Sequence, residues 1–444
     1  MQRGAQLVEG SVSSNLANLT GPMLIGITSI MIMNFIDTFF VARLGAIPLA
    51  ALSYTFPVVA TLGSVAMGMG IGATSVLARA IGEGHDDRVR RVTTDTLMLS
   101  LIVVGVLSTV GYLTITPVFS LLGADAQTLP LVDDYMSVWY LGMIFLVIPM
   151  VGNSALRATG DAATPARIMV GAALFNIILD PIFIFWLDLG VRGAAIATVI
   201  ARAMTLVLSL YFLIFREEMV TFQRPSLRQL VQSWRDVLRI GAPAAATNAV
   251  SPMTLGILTG LVSTYGHEAV AAYGAGSRAA MLALVPVMAL GASMGPFVGQ
   301  NWGARRRDRI GEAINLADRA ALVWGVVVWV LLVIFREPVA GLFTTDEEVA
   351  STLAMFLVIA PAGMGLQGVV GIAGASFNAI NQPLRAAGLT ILRTPTLSVP
   401  LALLGSATVG VEGIFLGMAV SEVLTGLVAR QWTRGLRLGS AGAV

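Results

Sequence analysis

Residues 45–51 read Gly-Ala-Ile-Pro-Leu-Ala-Ala and residues 266–272 read Gly-His-Glu-Ala-Val-Ala-Ala, so a glycine and an alanine pair return with the same internal spacing. The offset in residue number between Gly45 and Gly266 also separates other identical residues: Pro22 and Pro243, Gly70 and Gly291, Gly82 and Gly303, Pro117 and Pro338, Asp125 and Asp346. Near the end of each half the offset is shorter by one, since Gly190-Val191-x-Gly193 returns as Gly410-Val411-x-Gly413. The chain therefore contains two tandem copies of one unit.

The composition of both copies is typical of a membrane protein. Of the 444 residues, 56% are hydrophobic and 12% are charged, whereas soluble domains carry about 25% charged residues. We expect a lipid bilayer to be the solvent for so much apolar surface. The first apolar run, residues 16–41, is long enough to span the bilayer and to remain there, unlike a cleavable signal peptide.

Missing residue types exclude several kinds of chemistry. The chain has no cysteine and no lysine, since all 27 basic residues are arginine. Disulfides, thiolate metal sites and a Walker A phosphate loop are therefore excluded. The two histidines, His85 and His267, lie in predicted loops far apart, so neither a metal site nor a Ser-His-Asp triad is expected. The sequence predicts a protein that is not an enzyme, binds no cofactor and no nucleic acid, and works as a monomer.

Twelve apolar stretches of about twenty residues each are long enough to cross a bilayer. They are residues 16–41, 48–75, 92–116, 133–157, 165–186, 191–215, 239–263, 269–297, 313–335, 350–377, 384–405 and 411–433. Six spans per copy is an even number, so both copies have the same orientation and are related by an axis along the membrane normal. The predicted fold is an all-α membrane protein with twelve transmembrane helices in two parallel six-helix repeats.

The arginines indicate which side each loop faces. Twenty lie in loops on the same side as the N-terminus, four lie within spans, and only Arg43, Arg192 and Arg336 lie on the other side. This bias predicts that both termini are cytoplasmic, in the inner membrane of a prokaryote. The predicted domains are an N-lobe (1–215), a cytoplasmic amphipathic linker (216–238) that starts with a capping box at Ser226, and a C-lobe (239–444).

Acidic residues within the spans are candidate functional residues, because a charge in hydrocarbon costs several kcal/mol. Asp37 lies near the outer end of span 1, and Asp180 near the outer end of span 5. Asn176 precedes Asp180 by one turn on the same face, and Thr198 lies in the outer part of span 6. At about 1.5 Å per residue, the four side chains lie roughly 6–15 Å below the outer surface. We expect one buried site in the N-lobe.

Two carboxylates, an amide and a hydroxyl suit two ligands, a proton shared between the acids or a small hard cation such as Na⁺. The alternative is structural: Asp180-Pro181 ends a helix and Asp37 caps a loop. Methionines could line an adaptable apolar cavity next to this group, although each of them is also an ordinary core residue. They are Met31, Met33, Met143, Met150 and Met169.

Glu422 in span 12 has a second explanation. Arg393 in span 11 lies at a compatible depth, and an ion pair would let both side chains remain in lipid. We favour this structural pair over a second coupling site. Arg202 is the counterpart of Glu422 at the shorter of the two repeat offsets, so the two copies carry opposite charges at this position. The pattern gives no firm role for Arg202.

Four motifs carry a family resemblance. They are Asp37-Thr-Phe-Phe-Val-Ala-Arg-Leu-Gly45, Gly68-Met-Gly-Ile-Gly72, Leu156-Arg-Ala-Thr-Gly-Asp161 and Gly299-Gln-Asn-Trp-Gly303. Over nearly its whole length the chain resembles multidrug and toxic compound extrusion (MATE) transporters. It is most similar to their DinF-like prokaryotic branch, which has an acid in span 1 and Asn-x3-Asp-Pro in span 5.

The resemblance implies rocker-switch antiport of cationic or amphiphilic small molecules against an inward flow of H⁺ or Na⁺. It implies that Asp37, Asn176, Asp180 and Thr198 couple the ion, and that Tyr135 and Asn153 line the substrate cavity. Met33 and Met169 are expected in the same cavity from their placement in spans 1 and 5. The resemblance further implies that span 1 bends at Pro22 when the acids are protonated. The Na⁺-coupled NorM-like branch uses acids in spans 7 and 10, which this chain lacks, so we favour H⁺.

Three other readings remain open at this point. A flippase or exporter of a lipid-linked or other metabolite belongs to the same superfamily, but usually has fourteen spans and a cationic cavity. A major-facilitator antiporter also has two parallel six-span halves, but Gly82-Glu-Gly-His-Asp-Asp-Arg88 is a poor match for its loop motif. A membrane-embedded enzyme has few catalytic groups available in a chain without cysteine, lysine or an intramembrane histidine.

Overall fold

The computed structural model describes residues 6–223 and 226–438, and within these ranges the regular structure is entirely helical. The helices are α1 (Val12–Ala42), α2 (Ala46–Gly82), α3 (Asp86–Leu113), α4 (Ile115–Leu121), α5 (Leu129–Leu141), α6 (Ile144–Ala158), α7 (Ala163–Pro181), α8 (Gly190–Tyr211), α9 (Leu227–Val262), α10 (His267–Gly303), α11 (Arg307–Ile334), α12 (Arg336–Phe343), α13 (Glu347–Ile359), α14 (Met364–Ala379), α15 (Pro383–Ile391), α16 (Val399–Val409), α17 (Val411–Trp432) and α18 (Arg434–Arg437). A helix satisfies its own backbone hydrogen bonds, which explains why apolar stretches adopt it in lipid.

The twelve predicted spans are confirmed within the described residues. Eleven helical segments are each long and apolar enough to cross a membrane. The twelfth span is the pair α5 and α6, which meet at an angle of 45°. The chain is a multi-pass membrane protein.

Both copies break the same span at equivalent glycines. Gly142 separates α5 from α6, and its counterpart in the second copy, Gly363, ends the short 3₁₀ turn between α13 and α14. A Cβ at Gly142 would lie 2.2 Å from Val199, and one at Gly363 would lie 2.6 Å from the Cβ of Glu422. The repeat therefore preserves a close approach of span 4 to span 6, and of span 10 to span 12.

The glycines of the opening motif share a backbone conformation. Gly45 and Gly266 have φ values of +118° and +104°, and each directly precedes a long helix, α2 or α10. Side chains with a Cβ rarely adopt this region, so glycine is needed at both sites. This explains why the motif survives in both copies.

Span 5 does not end at its proline. After Pro181, which closes α7, the chain continues as a π-helical turn, Ile182–Trp186. Proline offers no N–H and crowds the preceding turn, which favours such a local widening. Gly193 of α8 allows this turn to pack closely, since a Cβ there would lie 2.4 Å from the carbonyl oxygen of Phe183. Asp180 therefore lies inside a helical span.

The chain forms two compact units. Unit 1 comprises Gly21–Ala245, and unit 2 comprises Leu7–Thr20 together with the chain from Ala246 onward. In unit 2 the N-terminal segment is held by Arg309, whose Nη1 donates to Gly10 O at 2.7 Å and whose Nη2 donates to Leu7 O at 3.1 Å.

The predicted linker helix begins where expected but does not end with the linker. Ser226 and Gln229 form the predicted capping box, since Gln229 N donates to Ser226 Oγ at 3.4 Å and Ser226 N donates to Gln229 Oε1 at 3.3 Å. The helix then runs without interruption to Val262. Trp234 lies on this helix and donates from Nε1 to the Asp95 carbonyl at 2.8 Å, so α9 packs on α3 in unit 1. The structure thus places one long helix where the sequence predicted a linker helix followed by a span.

Candidate functional site

Asn176 connects the predicted coupling residues in the interior of unit 1. Its Nδ2 donates to Asp180 Oδ1 at 3.3 Å, within α7, and to Thr198 Oγ1 of α8 at 3.5 Å. Asn176 and Asp180 are fully buried, and Thr198 is only 5% exposed. Asn176 and Asp180 both belong to α7. They are one helical turn apart, so their side chains lie on the same face of the helix.

Asp37 of α1 completes the group. Its carboxyl group is at hydrogen-bonding distance from that of Asp180. Two carboxylates at this distance repel each other unless a proton or a cation lies between them. The structure therefore brings together all four residues predicted to couple the ion, from three helices, although Asp37 and Thr198 lie far apart in the sequence.

The group has more acceptors than donors. Among the described residues, Asp37 Oδ1, Asn176 Oδ1 and Asp180 Oδ2 are buried and have no hydrogen-bond partner. Buried polar atoms are normally satisfied, because leaving one unpaired costs about 1–3 kcal/mol. A cluster of oxygen acceptors of this kind suits a proton or a small hard cation.

A half-buried arginine that the sequence left unexplained lies next to the group. Arg202 follows Thr198 by one turn on α8, and its guanidinium carbon lies 5.7 Å from the centre of the Trp139 ring on α5. Tyr135, one turn before Trp139, is 7% exposed, and it interacts electrostatically with Asp37 and Arg202. The signal in the sequence was the four-residue spacing of both pairs, Thr198 with Arg202 and Tyr135 with Trp139.

Three other predicted residues lie along α1 and α7. Met169 packs against α1 at Gly26, where a Cβ would lie 3.1 Å from the Met169 sulfur. Met33 precedes Asp37 by four residues on α1 and shares its face. Pro22 lies within α1, one turn before Gly26.

Asn153 is the predicted residue that the contacts do not link to this group. It lies on α6 and is 6% exposed, and its Oδ1 has no hydrogen-bond partner among the described residues. None of the hydrogen bonds of Asn176, Asp180 or Thr198 involves it. Its place in the substrate cavity stays a prediction.

Unit 2 has an apolar cluster at the equivalent place. At the repeat offsets, Leu258 matches Asp37, Phe356 matches Tyr135 and Met418 matches Thr198. All three counterparts pack in one hydrophobic cluster of unit 2. Phe356 packs edge-to-face on Phe415, with 4.9 Å between the ring centres. The second copy has therefore exchanged the polar group for core packing.

Arg393 of span 11 and Glu422 of span 12 face each other in unit 2. Arg393 Nη1 lies 3.7 Å from Glu422 Oε1, and the two side chains are 20% and 19% exposed. The ion pair thus exists in the structure, and its purely structural role stays a prediction.

Comparison with known proteins identifies the family. Residues 22–182 and 243–404 match the MatE family model, one match in each copy, and the matches begin at the equivalent prolines, Pro22 and Pro243. The chain belongs to the MatE family. It is 38% identical over 425 residues to the FAD transporter of Shewanella oneidensis, covering 95% of this chain and 94% of that protein.

Two further relatives agree with this assignment. The chain is 25% identical over 411 residues to the multidrug export protein MepA of Staphylococcus aureus, covering 92% of this chain and 90% of that protein. The crystal structure of the Vibrio cholerae MATE transporter VcmN in the bent form superposes with a TM-score of 0.92 at 30% identity, covering 96% of this chain and 98% of that one.

Membership of this family excludes two of the three other classes left open by the sequence, the enzyme and the major-facilitator antiporter, and leaves the metabolite exporter of the same superfamily open. The protein is a membrane transporter of the MATE type and not an enzyme. The major-facilitator reading is excluded, because the two matched segments account for both copies of the repeat. The DinF-like branch remains a resemblance.

Proposed function

We propose that the protein is an antiporter of the prokaryotic inner membrane, with both termini in the cytoplasm. It exports organic cations or amphiphilic toxic compounds in exchange for inward-moving H⁺. The observation that carries this proposal is the group of Asp37, Asp180, Asn176 and Thr198, with its surplus of buried oxygen acceptors.

The electrostatics of the group supply the coupling. With Asp37 and Asp180 ionised, the interior of unit 1 attracts a positively charged compound. A proton taken up from the outside neutralises the pair and weakens the binding of that compound, which is released. Only such a difference in affinity between two states can drive exchange by a rocker-switch movement.

H⁺ is favoured over Na⁺ for two reasons. A shared proton satisfies two carboxylates in hydrogen-bonding distance without further ligands, whereas Na⁺ needs several oxygen ligands arranged around it. In addition, the Na⁺-coupled branch uses acids in spans 7 and 10. In these spans unit 2 has the apolar residues Leu258 and Phe356 at the positions equivalent to Asp37 and Tyr135. Coupling by Na⁺ at the same four residues is the alternative.

Transport by purified protein in liposomes tests this function. We expect efflux of tetraphenylphosphonium, a monovalent organic cation, under an imposed pH gradient and not under an imposed Na⁺ gradient. Asp37→Asn and Asp180→Asn should each abolish it, while Asp134→Asn, the same change at an exposed site of α5, should not. Efflux driven by Na⁺ alone, or full activity in Asp37→Asn, would contradict the proposal.

A second candidate cargo is FAD. The observation that favours it is the 38% identity to the Shewanella FAD transporter along nearly the whole of both chains. The same liposomes distinguish the two cargoes when they are loaded with FAD or with tetraphenylphosphonium. Gradient-dependent loss of FAD with retention of the cation would replace a multidrug function by dinucleotide export.

A further inference from the structure

Arg202 is a half-buried charge for which the coupling reaction has so far given no role. Its Nη1 is buried and has no hydrogen-bond partner among the described residues. Its guanidinium group lies over the face of Trp139, and Asp37 and Tyr135 are its electrostatic neighbours. An arginine within a membrane span whose Nη1 is buried without a hydrogen-bond partner among the described residues is costly, so a function is expected.

The charges of this group can be counted. Tyr135 of α5 interacts electrostatically with Asp37 of α1, Asp180 of α7 and Arg202 of α8. The phenol of Tyr135 is neutral at physiological pH. With both acids ionised the group therefore carries one net negative charge, with one proton on the acid pair it is neutral, and with two protons it carries one positive charge.

We propose that Arg202 sets the ratio of exchange: it makes one proton sufficient to neutralise the site and to expel one monovalent organic cation. This inference rests on the proposed function. A bound cation balances the single negative charge of the deprotonated group, and one proton does the same. Loading therefore releases one proton from the Asp37–Asp180 pair to solvent, and the total charge inside the protein stays the same.

Without Arg202 the balance changes. The acid pair with one shared proton would retain a negative charge and would still hold the organic cation. A second proton would then be needed to release it, and two close carboxyl groups lose their first and second proton at well-separated pH values. In a variant with an uncharged side chain in place of Arg202, binding of the organic cation should therefore persist to lower pH.

This role can be tested by measuring how purified protein binds tetraphenylphosphonium. The binding is measured by equilibrium dialysis between pH 5 and 8 at constant ionic strength. We expect the wild-type affinity to fall about tenfold for each pH unit on the acidic side, as for competition with one proton. In Arg202→Gln the midpoint should move at least one pH unit lower, and binding at pH 6 should be at least about tenfold tighter. Arg202→Lys keeps the charge and should keep the wild-type midpoint.

Two comparisons separate this role from a structural one. Arg319→Gln removes the same charge from an exposed position of α11 and should leave the midpoint unchanged. If folded Arg202→Gln protein has the wild-type midpoint, or has lost cation binding, the inference is wrong while the proposed function stands. If wild-type binding does not respond to pH, the proposed function fails and the inference fails with it.

Discussion

At the scale of single residues, Asn176 organises the candidate site. One amide group donates to both Asp180 and Thr198, which fixes the face of α7 against α8. Both contacts are made by the amide nitrogen, which donates. The amide oxygen has no hydrogen-bond partner among the described residues, so it is a further acceptor beside the carboxylate oxygens. The side chain therefore positions the acids and also enriches the site in acceptors.

Replacing Thr198 by valine tests this arrangement with little change of shape. The variant removes one acceptor of Asn176, and a hydrogen bond of this kind contributes about 1 kcal/mol. We expect a roughly fivefold weaker response of transport to the pH gradient, measured as the proton concentration for half-maximal efflux. Thr205→Val is the matched control on α8, since the Thr205 hydroxyl donates to the Ala201 carbonyl of its own helix. Equal effects of both changes would contradict the role of Thr198.

Replacing Glu422 by glutamine tests whether the ion pair of unit 2 is structural. The change leaves Arg393 without its acidic partner, which is worse for stability than removing both charges. We expect Glu422→Gln to lower the melting temperature by a few degrees and the yield with it, while gradient-driven transport per folded molecule is retained. The double variant with Arg393→Gln should recover part of the stability. Loss of transport in well-folded Glu422→Gln protein would instead assign Glu422 to coupling.

At the scale of helices, the glycines of the repeat maintain close contacts. Gly193 and Gly413 are equivalent positions, and both lie where a Cβ would overlap backbone atoms of a neighbouring segment. In unit 1 that segment is the π turn that follows Asp180 and Pro181, so the contact also fixes the end of α7. Packing and the site are linked through this turn.

Gly193→Ala should therefore disturb both stability and transport. The new Cβ would lie 2.4 Å from the Phe183 carbonyl oxygen, so the backbone of the π turn has to move, and Asp180 with it. We expect a lower melting temperature and reduced transport by the protein that still folds. Gly105→Ala in α3 is the control, because its Cβ would meet no atom within 4 Å. Its transport should equal that of the wild type.

At the scale of the whole molecule, the two copies have diverged in their interiors while keeping their helices. Unit 1 holds a polar group with an arginine, and unit 2 holds an aromatic cluster and an ion pair at the equivalent level. Under the proposed function, this divergence restricts ion coupling to unit 1, while the equivalent position of unit 2 is filled by core packing.

The orientation of the chain is testable because it contains no cysteine. Ala126 and Asp87 are exposed: Asp87 lies in the first turn of α3, and Ala126 follows α4, which comes after the other end of α3. With cytoplasmic termini, Ala126→Cys should react with a membrane-impermeant maleimide added to intact cells, and Asp87→Cys should react only after permeabilisation. The reverse pattern would overturn the orientation predicted from the arginines.

The sequence by itself determined the solvent, the helices and their number. Apolar stretches of this length have one stable form in lipid, and the return of Gly45 as Gly266 revealed the two copies. The depth of Asp37, Asp180 and Thr198 along their spans also followed from the sequence, because a helix has a fixed rise per residue. For this reason the four residues could be predicted to lie together, and the structure brings them together; their role in coupling stays a prediction.

Only the tertiary structure decided which faces of the helices meet. Depth says nothing about rotation around a helix axis, so the approach of Arg202 to Trp139 and the bond between Asn176 and Thr198 appeared only after packing. The same limit applies to α9, which continues past residue 238 through Gly241 and Pro243, and whose first turns pack on α3 through Trp234. Side-chain contacts across helices depend on packing angles that a one-dimensional pattern does not contain.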